Sequence, residues 1–263
     1  SCCCACFVEG NTAPNHTTSN RTPNKGSNEW EKRLEELREK FKEYKDPQRI
    51  GDCVLLSAQV MYDEFYQESV DDHRSRKKNA NKEGDDEGGD IKDYFDALFK
   101  GLETYFHKQF IFVNITVANV TEMVNLTKIY NNTKIINGTE TLKNIQEFGS
   151  SQEKENNTIF YLFTWPDNAK NLNRPFDFIT IAGKRIIGVS EAATNGTFCS
   201  STSAALVRHK HGSNNFWSTA RATITIFGSD HFFAITKKDR ELMNDTLSRC
   251  PLPSQGNFDL LQC

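Results

Sequence analysis

Between residues 28 and 44 the apolar positions Trp30, Leu34, Leu37, Phe41 and Tyr44 recur every three or four residues, with Glu, Lys and Arg filling most of the gaps. That is the period of an amphipathic helix. Asn28 and Glu31 match a capping box at its start, and Asp46-Pro47 ends it. Its apolar stripe has to pack on something: its own domain is the plain expectation, a partner or a second copy the functional one. Residues 52–66 carry Val54, Leu55, Leu56, Val60 and Met61, which predicts a buried strand running into a turn or helix at the start of the core domain. Residues 71–90 hold no hydrophobic side chain larger than Ala80, and their charge density predicts a solvated loop. The basic run at 74–78 offers a processing protease a target, but an ordinary charged surface loop is the plainer reading.

Helical period returns over residues 91–110 through Tyr94, Phe95, Leu98, Leu102, Tyr105 and Phe106. Residues 110–120 then alternate, with Phe112, Asn114, Thr116 and Ala118 on one face, and complete a β-α-β unit. Residues 119–137 are expected to loop outward, 141–148 to form a short helix and Thr158–Thr164 a buried strand. Strands are also predicted at 176–181, 185–190 and Ser203–Arg208, and a helix at 215–227 despite its weak helix formers Thr and Ile. Strands alternating with helices predict an α/β domain with a mostly parallel sheet.

Composition predicts a secreted domain. Ten Asn-x-Thr sequons occur, at Asn15, Asn20, Asn114, Asn119, Asn125, Asn131, Asn137, Asn156, Asn195 and Asn244. An Asn- and Thr-rich chain makes some by chance, but five fall between Asn114 and Asn137 at spacings of five or six, as in a secreted glycoprotein. Residues 1–9, with Cys2, Cys3, Cys4 and Cys6, resemble the tail of a signal peptide; a mature amino terminus would instead read as a metal or disulfide knot. Residues 10–27 form a flexible glycosylated leader in this reading, and 28–47 the amphipathic helix. Without the first four cysteines, Cys53, Cys199, Cys250 and Cys263 permit two disulfides in three connectivities. The net charge of −3 gives no nucleic-acid footprint, and no apolar run approaches the roughly 18 residues of a membrane helix. Neither partner is expected.

The candidate chemistry lies at residues 220–233. Laid on Gly228 and His231, the zinc-protease pattern H-E-x-x-H-x-x-G-x-x-H puts Arg221, Ala222 and Thr225 where His, Glu and His belong. Together with the order of elements and the wording of residues 159–164, 188–199 and 203–207, this resembles the reprolysin-like metzincins, in particular the secreted salivary metalloproteases of ticks. The resemblance covers roughly residues 51–250. It implies a twisted, mostly parallel sheet with flanking helices and a small C-terminal subdomain over 48–263, a bond from Cys199 to a late cysteine, and a methionine beneath the metal, matched by Leu242-Met243. A plain core methionine is the simpler reading.

It also implies lost catalysis. A guanidinium has no lone pair for zinc, a threonine hydroxyl is a poor ligand, and Ala222 removes the general base. Only His231 remains as a ligand position, with Arg221 expected to fill the metal's place and pair with an acid such as Asp230. His209 and His211 with His231 would give three nitrogens, but a charged Arg-His-Lys-His loop is the plainer reading; His16, His73 and His107 stand alone. The resemblance thus suggests a secreted, zinc-free homologue that binds an extracellular protein, such as one of a host. Alternatives are an active zinc endopeptidase with unusual ligands and an unrelated α/β binding module. The last is favoured if the helices at 91–110 and 215–227 do not share one sheet.

Overall fold

The computed structural model describes residues 47–80, 91–130, 136–165, 179–181, 184–186, 191–232 and 235–251. The expected signal remnant, leader and nearly all of the 28–47 helix lie outside these, as do Asn15, Asn20, Asn131 and Cys263. The chain runs β1 (Ile50–Tyr62), α1 (Glu64–Ala80), α2 (Ile91–Lys108), β2 (Ile111–Glu122), α3 (Gly138–Ser150), β3 (Thr158–Thr164), β4 (Ile179–Ile181), β5 (Lys184–Ile186), β6 (Glu191–Ala193), β7 (Ser203–Arg208), α4 (Trp217–Ile226) and α5 (Lys237–Leu247). Five strands form one sheet in the order β2-β1-β3-β7-β6; β4 and β5 pair as a separate antiparallel hairpin. The first four strands are parallel and β6 runs antiparallel on β7. The fold is α/β with a mostly parallel sheet.

Every residue of β3 is buried, as expected of a central parallel strand covered on both faces. On one face Tyr66 and Val70 of α1, Phe95, Phe99, Leu102 and Phe106 of α2, and Ala222, Ile224 and Ile226 of α4 pack on Leu56, Val60, Tyr161 and Phe163. The helices at 91–108 and 217–226 therefore share one sheet and one core. On the other face Ile145 of α3 packs with Met61, Phe160, Leu162 and Leu206. Gly149 makes this approach possible, since a Cβ there would lie 2.6 Å from the Phe160 ring.

Four sequence expectations are corrected. Residues 71–80 are not loop but the second half of α1; residues 81–90 lie outside the described set. Asp63 caps this helix by accepting from the Tyr66 N–H, and the Gln67–Asp71 and Asp72–Arg76 pairs support its polar face at i,i+4 spacing. Residues 119–122 continue β2, and the segment after them does not simply loop outward: Leu126 and Ile136 are buried, and Ile129 bridges Ile136. Leu242-Met243 lies within α5 rather than in a turn, and Met243 is fully buried. That helix joins the main core through Met243 and Leu247, and among the described residues it forms no separate C-terminal subdomain.

Candidate functional site

Helix α4 forms against its intrinsic propensity because packing rewards it. Thr219, Ala220, Ala222, Thr223, Ile224 and Ile226 are buried. Thr223 donates to the Thr219 carbonyl and shares a hydrogen bond of 2.9 Å with the buried Tyr161 hydroxyl, which ties the helix to β3. Burial pushes the Tyr161 phenol upward, so it stays protonated. Gly228 ends the helix at φ +98°. Its N–H bonds to Thr225 O and that of Ser229 to Ile224 O, the paired bonds of a Schellman motif, so this glycine has a cause independent of any metal.

The three degenerate positions differ in setting. Ala222 is wholly buried and Thr225 half-buried, its carbonyl accepting from Gly196 and Gly228. Arg221 reaches the edge strand: its Nε lies 3.1 Å from Glu191 Oε1, with the Arg side chain 40% exposed and the Glu side chain 6%. The expected pairing of Arg221 with an acid such as Asp230 is thereby replaced by one with Glu191, a residue with no local signal in the sequence. The cation fixed beside this carboxylate repels a divalent metal.

His231 joins the turn before α5. Its Nδ1 lies 3.1 Å from Asp239 Oδ1, which also accepts from Ser229 Oγ at 3.0 Å. The other oxygen, Oδ2, accepts from Thr236 N at 2.8 Å and Thr236 Oγ1 at 2.5 Å, while Asp239 N–H donates to the Thr236 hydroxyl. Burial works to raise the Asp239 pKa, but the hydrogen bonds from Thr236, His231 and Ser229 prevail and hold it below the usual carboxylate value. The histidine that the zinc pattern would retain is thus built into a helix cap.

A second cluster, not anticipated as a unit, fills the carboxyl edge of the sheet. The connection from β1 to β2 runs to one side and that from β2 to β3 crosses to the other, so chain direction reverses between β1 and β3, where open α/β sheets form their crevice. Here side chains occupy it. Asp63, fully buried, accepts from Thr127 Oγ1 at 2.8 Å as well as from Tyr66 N. Burial raises its pKa to about 6 against those donors.

On the far side of the β3 end, where its backbone N–H bonds Thr164 O, His209, 4% exposed, lies 2.5 Å from the Tyr94 hydroxyl through Nε2. Burial, aided by neighbouring His211, lowers the His209 pKa to about 4 despite a backbone hydrogen bond at Asn215. His211 packs 4.3 Å from the Tyr94 ring and 5.3 Å from His73, and Tyr94 also bonds Ser213 O. His209 and His211 lie in the connection after β7, as the loop reading had it, but the expected exposure fails: His209 is buried, and both rings gather on Tyr94, with His73 beside His211, rather than around His231. Among the described residues no group of three or more His, Cys, Asp or Glu is placed to hold a metal ion. An Asp directly after an apolar strand is a legible helix cap, whereas nothing local in the sequence pairs Tyr94 with His209. His107, read as lone, stacks on Phe112.

Cys199 and Cys250 form a disulfide that ties the β6–β7 connection to the end of α5, and Cys53 is also disulfide-bonded. Seven sequons fall on described residues: Asn119, Asn125, Asn156, Asn195 and Asn244 are exposed, Asn114 and Asn137 half-buried. In comparisons with known proteins, no family model and no curated protein matches the chain.

Proposed function

We infer that the chain is a secreted, glycosylated, metzincin-like (reprolysin-like) metalloprotease homologue that has lost zinc catalysis and acts by binding a protein outside the cell, such as one of a host. The observation that carries the loss of catalysis is the ion pair between Arg221 and Glu191, at the helix position that the resemblance assigns to the first zinc ligand. Ala222, at the position of the general base, has no proton acceptor, and the imidazole of His231 is held by Asp239.

The scaffold half of the reading is supported by the element order: strand, long helix and edge strand β2, a buried β3, an edge strand β6 beside β7, and then α4 closed by Gly228. The Cys199–Cys250 bond joins the first of these cysteines to a late one, as the resemblance implies, and a disulfide suits an oxidising compartment. The binding half rests on the likeness to secreted salivary proteins.

Metal analysis of the protein purified from a secretory host, combined with a fluorogenic peptide assay with and without chelator, tests the reading. Substoichiometric zinc and no chelator-sensitive cleavage are expected. One zinc per chain, or cleavage abolished by chelator, would favour an active endopeptidase with unusual ligands instead.

A further inference from the structure

Of the seven described sequons, five have their Asn or Thr side chain in the folding of the domain. Thr127 donates to the buried Asp63, Thr197 bonds Thr194 and Ser203, and Thr246 is buried and bonds Leu242 O within α5. Thr158 is buried at the start of β3, and Asn137 caps α3 by accepting from Glu140 N. Packing and capping would select those residues with no sugar attached. The two on β2 differ. Thr116, Asn119 and Thr121 are exposed, and Asn119 Nδ2 donates only to the hydroxyl of its own sequon, Thr121. Asn114 is half-buried, and Thr116 makes one long bond of 3.4 Å to Leu56 O.

Five residues apart, Asn114 and Asn119 would point to opposite faces of a regular strand. They do not, because β2 has a register irregularity: Val117 pairs with Ala58, Asn119 with Gln59, and Ala118 is left over as a bulge. Asn114 pairs with Leu55, which lies on the same face of β1 as Gln59. Both sequons therefore occupy the face opposite the Val54, Leu56, Ala58 and Val60 core, about 13 Å apart along the strand. Helix α3 packs on β3, β7 and β6, so among the described helices none covers this part of that face.

β2 is also the outer strand of the sheet among the described residues. Its first half is guarded by α2: Glu103 Oε2 accepts from Ile115 N at 2.8 Å, and a His107 ring nitrogen lies 3.3 Å from Val113 O. Beyond Ile115, among the described residues, only the bulge blunts the edge. A long edge strand left open is a template for pairing with another chain.

We propose that Asn114 and Asn119 both carry N-linked glycans, and that these two sugars shield the open half of β2 from pairing with a second copy of the chain. The proposal rests on the secretory reading above. In each transfer the Asn Nδ2 forms a bond to the anomeric carbon of an oligosaccharide carried on a polyprenyl diphosphate. The bond from that carbon to the diphosphate oxygen breaks with its electron pair, and one amide proton is released. No oxidation or reduction occurs.

The full chain secreted from eukaryotic cells tests this through Thr116→Ala and Thr121→Ala, exposed changes that remove each sequon and keep its Asn. Mass spectrometry should show the loss of one glycan per substitution. By light scattering the glycosylated chain should be monomeric and the double variant at least twice that mass, and adding Ala118→Lys to the double variant should restore the monomer by charging the edge. Asn114 or Asn119 without sugar while Asn125 or Asn195 carries it would overturn the proposal and leave the secretory reading intact. Occupied sites with a monomeric double variant, or association that Ala118→Lys does not reverse, would also overturn it. If no sequon is occupied, the secretory reading falls with it.

Discussion

Asp239 concentrates more structure than any single residue of the zinc-like segment. Its carboxylate takes hydrogen bonds from Ser229, His231 and Thr236 and closes the capping box of α5. Asp239→Ala removes a cap and strands buried donors, a cost of about 2 to 3 kcal/mol, and thermal melting should show a fall of roughly 5–10 °C. Because its pKa is held below the usual value of 3.8, the Asp239 contribution is full above that pH and lost as the pH falls further. The wild-type and variant melting curves should therefore converge in acid. Residues whose role is set by local chemistry were legible in sequence, as with the core role read for Met243. Glu191 was not, because its partner Arg221 lies 30 positions along the chain and only the sheet brings them together.

Elements with one clear period were read closely: α2, β2, β3, β7 and α4 fall within a few residues of their expected bounds. The elements missed lack that signal for identifiable reasons. In α1 the buried stripe is short, Tyr66, Ser69 and Val70, and its second half is charged, so the eye finds a loop where i,i+4 pairs sustain a helix. In α5 the buried positions include Asp239, Arg240 and Thr246, polar residues that hide an amphipathic face. What fixes the ends of these last elements is covalent: the Cys199–Cys250 bond closes a separation of 51 residues. Chain-entropy reasoning puts its contribution at about 4 kcal/mol. The Cys199→Ser and Cys250→Ser variants should each lose that much in denaturant unfolding, and the double variant no more than either. Additive losses would mean that the cysteines act separately and not through their bond.

At the scale of the whole molecule the sheet order is the part that sequence reasoning left open, since strand neighbours depend on crossover direction and not on local pattern. That order also brings two buried groups of opposite pH response to the carboxyl edge of the sheet, Asp63 after β1 and His209 after β7. Asp63 keeps its proton to about pH 6 when folded, whereas its ordinary value is 3.8, so stability falls as pH rises through that window. His209 resists protonation down to about pH 4 against an ordinary 6.5, so its contribution is full above pH 6.5 and declines as pH falls. Each amounts to about 3 kcal/mol at most. Chemical denaturation from pH 3 to 8 should therefore show Asp63→Asn gaining stability relative to wild type as pH rises above 4. His209→Gln should do so as pH falls below 6. Parallel curves for wild type and both variants would mean that neither group titrates as its burial implies.

The disulfide also has a consequence in time. The chain leaves the ribosome from its amino end, at roughly 5–20 residues per second, so Cys250 follows Cys199 by about 3 to 10 seconds. During that interval β7 and α4 emerge while Cys199 waits beside the β6–β7 connection, and any earlier oxidation of this thiol joins it to a wrong sulfur. Native pairing is therefore a late event of biosynthesis, and the yield of correctly linked protein should depend on disulfide isomerase rather than on oxidant alone.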